Sequence, residues 1–171
     1  MPKVDEEGKR WQEETAARIG RAVQAHRTRV GMSVTQLAEA TVALGYPIHR
    51  VAIGKIESGN RLGKLDTSEL VILAKALGVD PLSLLYPDMI DGEVEVTPRR
   101  FIASVDAVKE FCGRDEDAHT SLRTYWDYER ERERQHDYEK RGNREAAYEV
   151  KQRADDIRDQ GRTMWGWLVN E

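Results

Sequence analysis

Apolar residues recur at helical spacing through the first half of the chain. From Trp11 to Val30, Ala16, Ile19, Ala22 and Val23 fall three and four apart, which predicts a first helix, and Gly31 supplies the stop expected beyond its C-terminus. Ser33 then opens SVTQLAEATVALG. Gln36 stands three residues after that serine, the capping-box spacing in which each side chain satisfies the other's orphan amide. The second helix is expected to end near Gly45, because Tyr46-Pro47 cannot continue it: proline has no amide hydrogen and disfavours helical geometry in the residue before it. A turn leads into IHRVAIGKIESG, where Ile53 and Ile56 read as core. GNRLGKLD reads as an exposed loop. Asp66 with Glu69 repeats the capping box ahead of TSELVILAKALG, whose Leu70, Ile72, Leu73, Ala76 and Leu77 form a broad apolar stripe ended by Gly78. Asp80-Pro81, a capping acid before a proline at the first helical position, starts a short helix over LSLLY.

Five helices are thus expected by Tyr86, an all-α unit of roughly 75 residues, near the lower size at which a core sustains itself. Beyond it, Val94 and Val96 in PDMIDGEVEVTPRR alternate as in a strand, and the stretch reads as linker or short hairpin. Ser104 is placed to cap a short helix over VDAVKEFCG. From Glu116 the chain is dense in Glu and Arg, and apolar residues gather at its two ends: Leu122, Tyr125 and Trp126 early, Ile157, Met164, Trp165, Trp167 and Leu168 late. A fold-back near Gly142 brings the two groups together as an antiparallel helical hairpin. A single coiled coil fits less well, since its seam through Leu122 and Tyr125 would enclose Glu129, Arg132 and His136. The expected organisation is a five-helix domain over 11–87, a linker with a short strand and short helix over 88–115, and a charged helical hairpin or coiled-coil region over 116–171.

A chain that is 34% charged and 39% hydrophobic belongs with soluble, helix-rich proteins. The lone Cys112 has no intramolecular partner, which points to a reducing, cytoplasmic setting, and no run is apolar enough for a membrane span. The net charge of −4 argues against a nucleic-acid partner until its distribution is inspected. Between Arg18 and Lys64 stand eight bases (Arg18, Arg21, Arg27, Arg29, Arg50, Lys55, Arg61, Lys64) against Glu39 and Glu57, so this window carries +6 and the remainder −10. Charge acts locally, because salt screens it beyond roughly 8 to 10 Å. Catalysis finds no support. His26, His49, His119 and His136 show no metal-ligand spacing, Ser33 has no base at motif distance, and Gly54 and Gly59-Asn60 do not make a phosphate-cradling loop. No cofactor is expected.

Two helices joined by a turn, the second carrying small and basic residues outward, are the physical minimum for placing a helix in a major groove. The segment from about Ile19 to Tyr86 resembles the Cro and phage-repressor, or xenobiotic-response-element, helix-turn-helix family. Ser33 with Gln36-Leu37-Ala38, then Ile56-Glu57-Ser58-Gly59, then Leu73-Ala74-Lys75-Ala76-Leu77-Gly78-Val79 carry the resemblance. It implies a lambda-repressor-like fold with a recognition helix from about Arg50 to Ser58. It also implies that Arg50, Val51 and Lys55 contact bases, and that Gln36, His49, Ser58, Asn60, Arg61 and Lys64 contact phosphate. Glu57 would pair structurally with Arg27. Arg and Lys can donate to guanine O6 and N7, while Val51 can meet a thymine methyl. The chain departs from the family's pattern at Val34, where a phosphate-binding glutamine is usual, and in the stretch from Ala38 to Glu57, which is about five residues longer than a tight helix-turn-helix.

The resemblance implies a DNA-binding transcriptional repressor of prokaryotic or phage type, acting on double-stranded DNA as a homodimer. An alternative gives the C-terminal helices the leading role, as an antitoxin or adaptor that binds a partner protein while the N-terminal domain autoregulates. Trp126, Trp165 and Trp167 read first as hairpin core, then as a partner surface, and last as the pocket of an effector-sensing regulator.

Overall fold

The computed structural model describes residues 6–61, 65–114 and 121–167. Eight helices and one two-stranded antiparallel sheet occur among them, so the fold is all-α with a small β appendage. The chain divides into two compact units, the first ending at Val108 and the second starting at Lys109.

The first unit contains α1 (Glu6–Arg29), α2 (Val34–Ala43), α3 (Arg50–Glu57), α4 (Thr67–Leu77) and α5 (Pro81–Leu85). Helix α1 begins at Glu6, ahead of the expected Trp11. Its first turn holds Glu6 and Glu7, whose charge favours a helix N-terminus without leaving an apolar signature. The capping boxes form at Ser33/Gln36 and Asp66/Glu69, and Asp80 caps α5 ahead of Pro81. One core unites the five helices. Leu37, Ile53, Leu73 and Leu84 are fully buried in it, each worth about 1.5 to 3 kcal/mol in apolar transfer. Helices α1 and α3 touch through backbone: a Cβ on Gly20 would overlap the carbonyl oxygen of Ile56.

The long connection between α2 and α3 is pinned by a residue the apolar pattern passes over. Thr41 is fully buried. Its hydroxyl donates to Ala38 O at 2.7 Å and accepts from Ile48 N–H at 2.9 Å. Gly45 takes a positive φ of 81°, Tyr46 N–H returns to Thr41 O, and Ile48 enters the core at 4% exposure.

Over 88–115, where a linker with a short strand and a short helix is expected, a β-hairpin and a helix form. Strands β1 (Glu93–Thr97) and β2 (Arg100–Ala103) pair in antiparallel register, Val94 opposite Ile102, and α6 (Ser104–Phe111) follows with Ser104 inside the helix and buried. Val94, Ala107 and Tyr86 form a second apolar cluster that includes Leu82 and Leu85, so the chain to Val108 packs with the five helices. A two-stranded hairpin is marginal by itself. Here the Trp11 indole N–H donates to Glu95 O at 3.0 Å, while the Glu95 carboxylate accepts from Arg10 and from the backbone N–H of Arg99. Trp11 and Arg10 lie more than 80 residues from Glu95 in sequence, which is why two alternating valines give so weak a signal.

The second unit is a helical hairpin of α7 (Ser121–Lys140) and α8 (Arg144–Trp165), turned at Gly142 with φ of 72°. Its middle is built differently from the expectation. On α8 a stripe of small residues, Ala147, Val150, Ala154 and Gly161, is buried; on α7 the buried residue is Glu131, held by Arg134 at 3.0 Å and Arg153 at 3.4 Å. At the open end Tyr125 meets Trp126 and Trp167 edge to face, and Trp165 and Trp167 donate to Thr124 and Ser121. Leu122 and Met164 are exposed, and Leu168 lies outside the described residues.

Candidate nucleic-acid interface

Helix α3 has two unlike sides. At about 100° per residue, Arg50, Gly54, Ser58, Val51 and Lys55 follow one another round an arc of about 140°, while Ala52, Ile56, Ile53 and Glu57 occupy the other side. Ile53 and Ile56 are buried in the core, and Arg50, Val51, Lys55 and Ser58 are exposed. An apolar valine left 54% exposed on a polar arc is a residue without an internal partner.

Both ends of the helix are fixed. His49 is the N-cap, its Nδ1 accepting from Val51 N–H at 3.3 Å. That bond assigns the ring proton to Nε2, so the histidine has a donor left for an anion at the helix N-terminus. Ser58 is the C-cap, its hydroxyl donating to Lys55 O and accepting from the Asn60 amide. From the inner side Arg27 forms a two-pronged pair with Glu57, Nε to Oε1 at 2.7 Å and Nη2 to Oε2 at 2.8 Å, while Nη1 donates to Met32 O. The carboxylate holds the Arg27 guanidinium above its ordinary pKa. The pair ties α1 to the C-terminal end of α3.

The basic window is less outward-facing than its total implies. Arg18 donates to Leu85 O, and burial lowers its pKa. Arg27 belongs to the pair just described. Arg61 pairs with Glu69, the same carboxylate that completes the cap of α4. Arg21, Arg29, Arg50 and Lys55 are exposed, and Lys64 lies outside the described residues. Gln36 spends its carbonyl oxygen on Ser33 N–H at 2.8 Å, so its NH2 is what it offers a phosphate. Val34 packs against the core in place of a polar contact. Sequence reading missed Gly20 and Thr41, which seat α3 from behind and from before. A threonine five residues ahead of Tyr46-Pro47, within an otherwise apolar helix end, is the sequence signal for the second.

Residues 23–84 match the family model described as Helix-turn-helix, of the Cro and phage-repressor type. No curated protein and no solved structure matches the chain. Fold and family match define residues 23–84 as a helix-turn-helix domain of the Cro and phage-repressor type, which supports a DNA-binding regulator in general. The match stops at Leu84, short of the β-hairpin and the second unit. No described helix is long and apolar enough to cross a membrane.

Proposed function

We propose that the protein is a transcriptional repressor of prokaryotic or phage type, working in the cytoplasm and binding its operator as a homodimer through the first unit. The observation that carries this reading is the outward arc of α3, where Arg50, Val51 and Lys55 stand exposed on a helix clamped by Ile53, Ile56 and the Arg27–Glu57 pair. Arg50 and Lys55 read guanine edges, and each good bidentate contact is worth roughly 1 to 3 kcal/mol of discrimination. Gln36, His49, Ser58, Asn60, Arg61 and Lys64 hold phosphates and set register without reading sequence, Arg61 through the N–H groups other than the Nη1 that Glu69 takes. One short helix reads few base pairs, so two half-sites about one helical turn (~34 Å) apart supply the remaining affinity and specificity. The test is a salt titration of operator binding. Arg50→Ala removes operator preference with a milder loss of non-specific binding, whereas Arg61→Ala weakens every sequence and flattens the salt slope. Wild-type behaviour of both variants refutes the placement.

The second unit favours a further role as a protein-binding module, the antitoxin or adaptor reading. It is a separate compact unit whose Leu122, Tyr148 and Met164 remain exposed. A truncation after Val108 that represses fully while the intact protein co-purifies with no partner refutes that role. An effector pocket among the tryptophans is less favoured, because Arg114 of the protein itself covers one face of Trp126 at 4.8 Å.

A further inference from the structure

Helices α1 and α3 each carry an interior glycine, and the two have opposite surroundings. Gly20 has no room for a side chain, so the fold accounts for it. At Gly54 a Cβ would meet no atom of the described residues within 4 Å beyond its own helix backbone and chain neighbours, and its φ is not positive. Glycine in a helix interior costs backbone entropy that alanine does not, and an eight-residue helix tolerates that cost poorly. Nothing among the described residues therefore requires glycine at position 54. The position lies between Arg50 and Ser58 on the outward arc, one turn from Arg50 and next to Lys55.

Reach distinguishes the side chains on that arc. Arg50 and Lys55 are long enough to touch a base edge from a helix held high in a groove. Val51 is not: its methyls extend little beyond the backbone, and they meet a base only if the helix axis comes close. We propose that Gly54 is a specificity-determining position, a notch that lets the backbone of α3 approach the floor of the major groove so that Val51 packs on a thymine C5-methyl. The inference rests on the DNA-binding reading above and adds a residue and a base-pair chemistry to it. Any side chain at position 54 lifts the helix and uncouples Val51 while leaving the longer cations in reach.

The test uses the full chain, a duplex selected by the wild type from random DNA, and a scrambled duplex of the same composition. Gly54→Ala is expected to weaken binding to the selected duplex at least tenfold and to the scrambled one less than twofold. Its melting temperature should rise by roughly 4 to 8 °C, as alanine replaces glycine in a helix. Replacing thymine by deoxyuracil, which removes only the methyl, should weaken the wild type about fourfold at one half-site position and leave Gly54→Ala unaffected there. Unchanged affinity of Gly54→Ala overturns the proposal, as does a lowered melting temperature or indifference of the wild type to every uracil. If Arg50→Ala loses preference while Gly54→Ala does not, the DNA reading stands and the notch falls. A wild type that enriches no sequence overturns both.

Discussion

Neutralising Glu57 tests how firmly α3 is anchored. In Glu57→Gln one oxygen still accepts from Arg27, but the other becomes an NH2 facing the guanidinium, so one of two charge-assisted bonds is lost and the survivor is weakened. Hydrogen bonds to charged groups contribute about 1.5 to 3 kcal/mol against about 0.5 to 1.5 for neutral ones. The side chains of Arg27 and Glu57 are only 14% and 7% exposed, so water replaces little of the loss. The expected cost is roughly 3 kcal/mol, or roughly 12 to 20 °C in melting temperature for a unit of this size. Removing both partners should be less harmful than removing one. Arg27→Met with Glu57→Leu leaves no buried charge and sacrifices mainly the bond to Met32 O, about 1.5 to 3 kcal/mol. Urea unfolding of the full chain, followed by hydrogen exchange at amides of α1 and α3, isolates this unit from the hairpin. A Glu57→Gln variant within 0.5 kcal/mol of wild type, or a double variant as unstable as the two single costs added, would refute the reasoning.

Gly20→Ala drives a methyl into the Ile56 carbonyl, and because backbone cannot swing aside it should cost about 2 to 4 kcal/mol despite alanine's helix propensity, read by thermal melting together with loss of DNA binding. Thr41→Val keeps the volume but strands the buried N–H of Ile48, for about 1 to 3 kcal/mol in urea titration and increased exchange at the Ile48 amide. Glu95 is held below its ordinary pKa of 4.5, first by Arg10 and then by the Arg99 N–H. A carboxylate depressed in the folded state stabilises fully above its unfolded pKa and stops doing so as pH falls through the folded one, so wild-type stability should drop below about pH 4.5. Glu95→Gln should show a smaller drop over the same range; equal slopes would exclude Glu95 as a source of acid sensitivity.

The helix-turn-helix was legible because its determinants are local. Ser33 with Gln36, Asp66 with Glu69 and Asp80 with Pro81 each mark a helix start within four residues, and the buried stripe of α4 repeats at helical spacing. The inward side of α3 followed from Ile53 and Ile56, and the outward residues Arg50, Val51 and Lys55 from the family resemblance. Less of the rest could be read, because it depends on partners distant in sequence. Residues 88–108 become structure through Trp11, Arg10 and Tyr86, and the extended α2–α3 connection through one hydroxyl of Thr41. Charge counting overstated the free surface charge: besides Arg27, whose pairing with Glu57 the resemblance implied, Arg18 and Arg61 bind acceptors within the fold. In the hairpin the bulky residues drew attention to its ends, whereas small residues and a buried Glu131 form its middle.

Selection of bound duplexes from random DNA by the 171-residue chain bears most directly on the central claim that α3 reads sequence. The account predicts enrichment of a two-fold symmetric motif with half-sites about one helical turn apart, lost when Arg50 is replaced by alanine. Absence of any enriched sequence, or enrichment unchanged in Arg50→Ala, would contradict it.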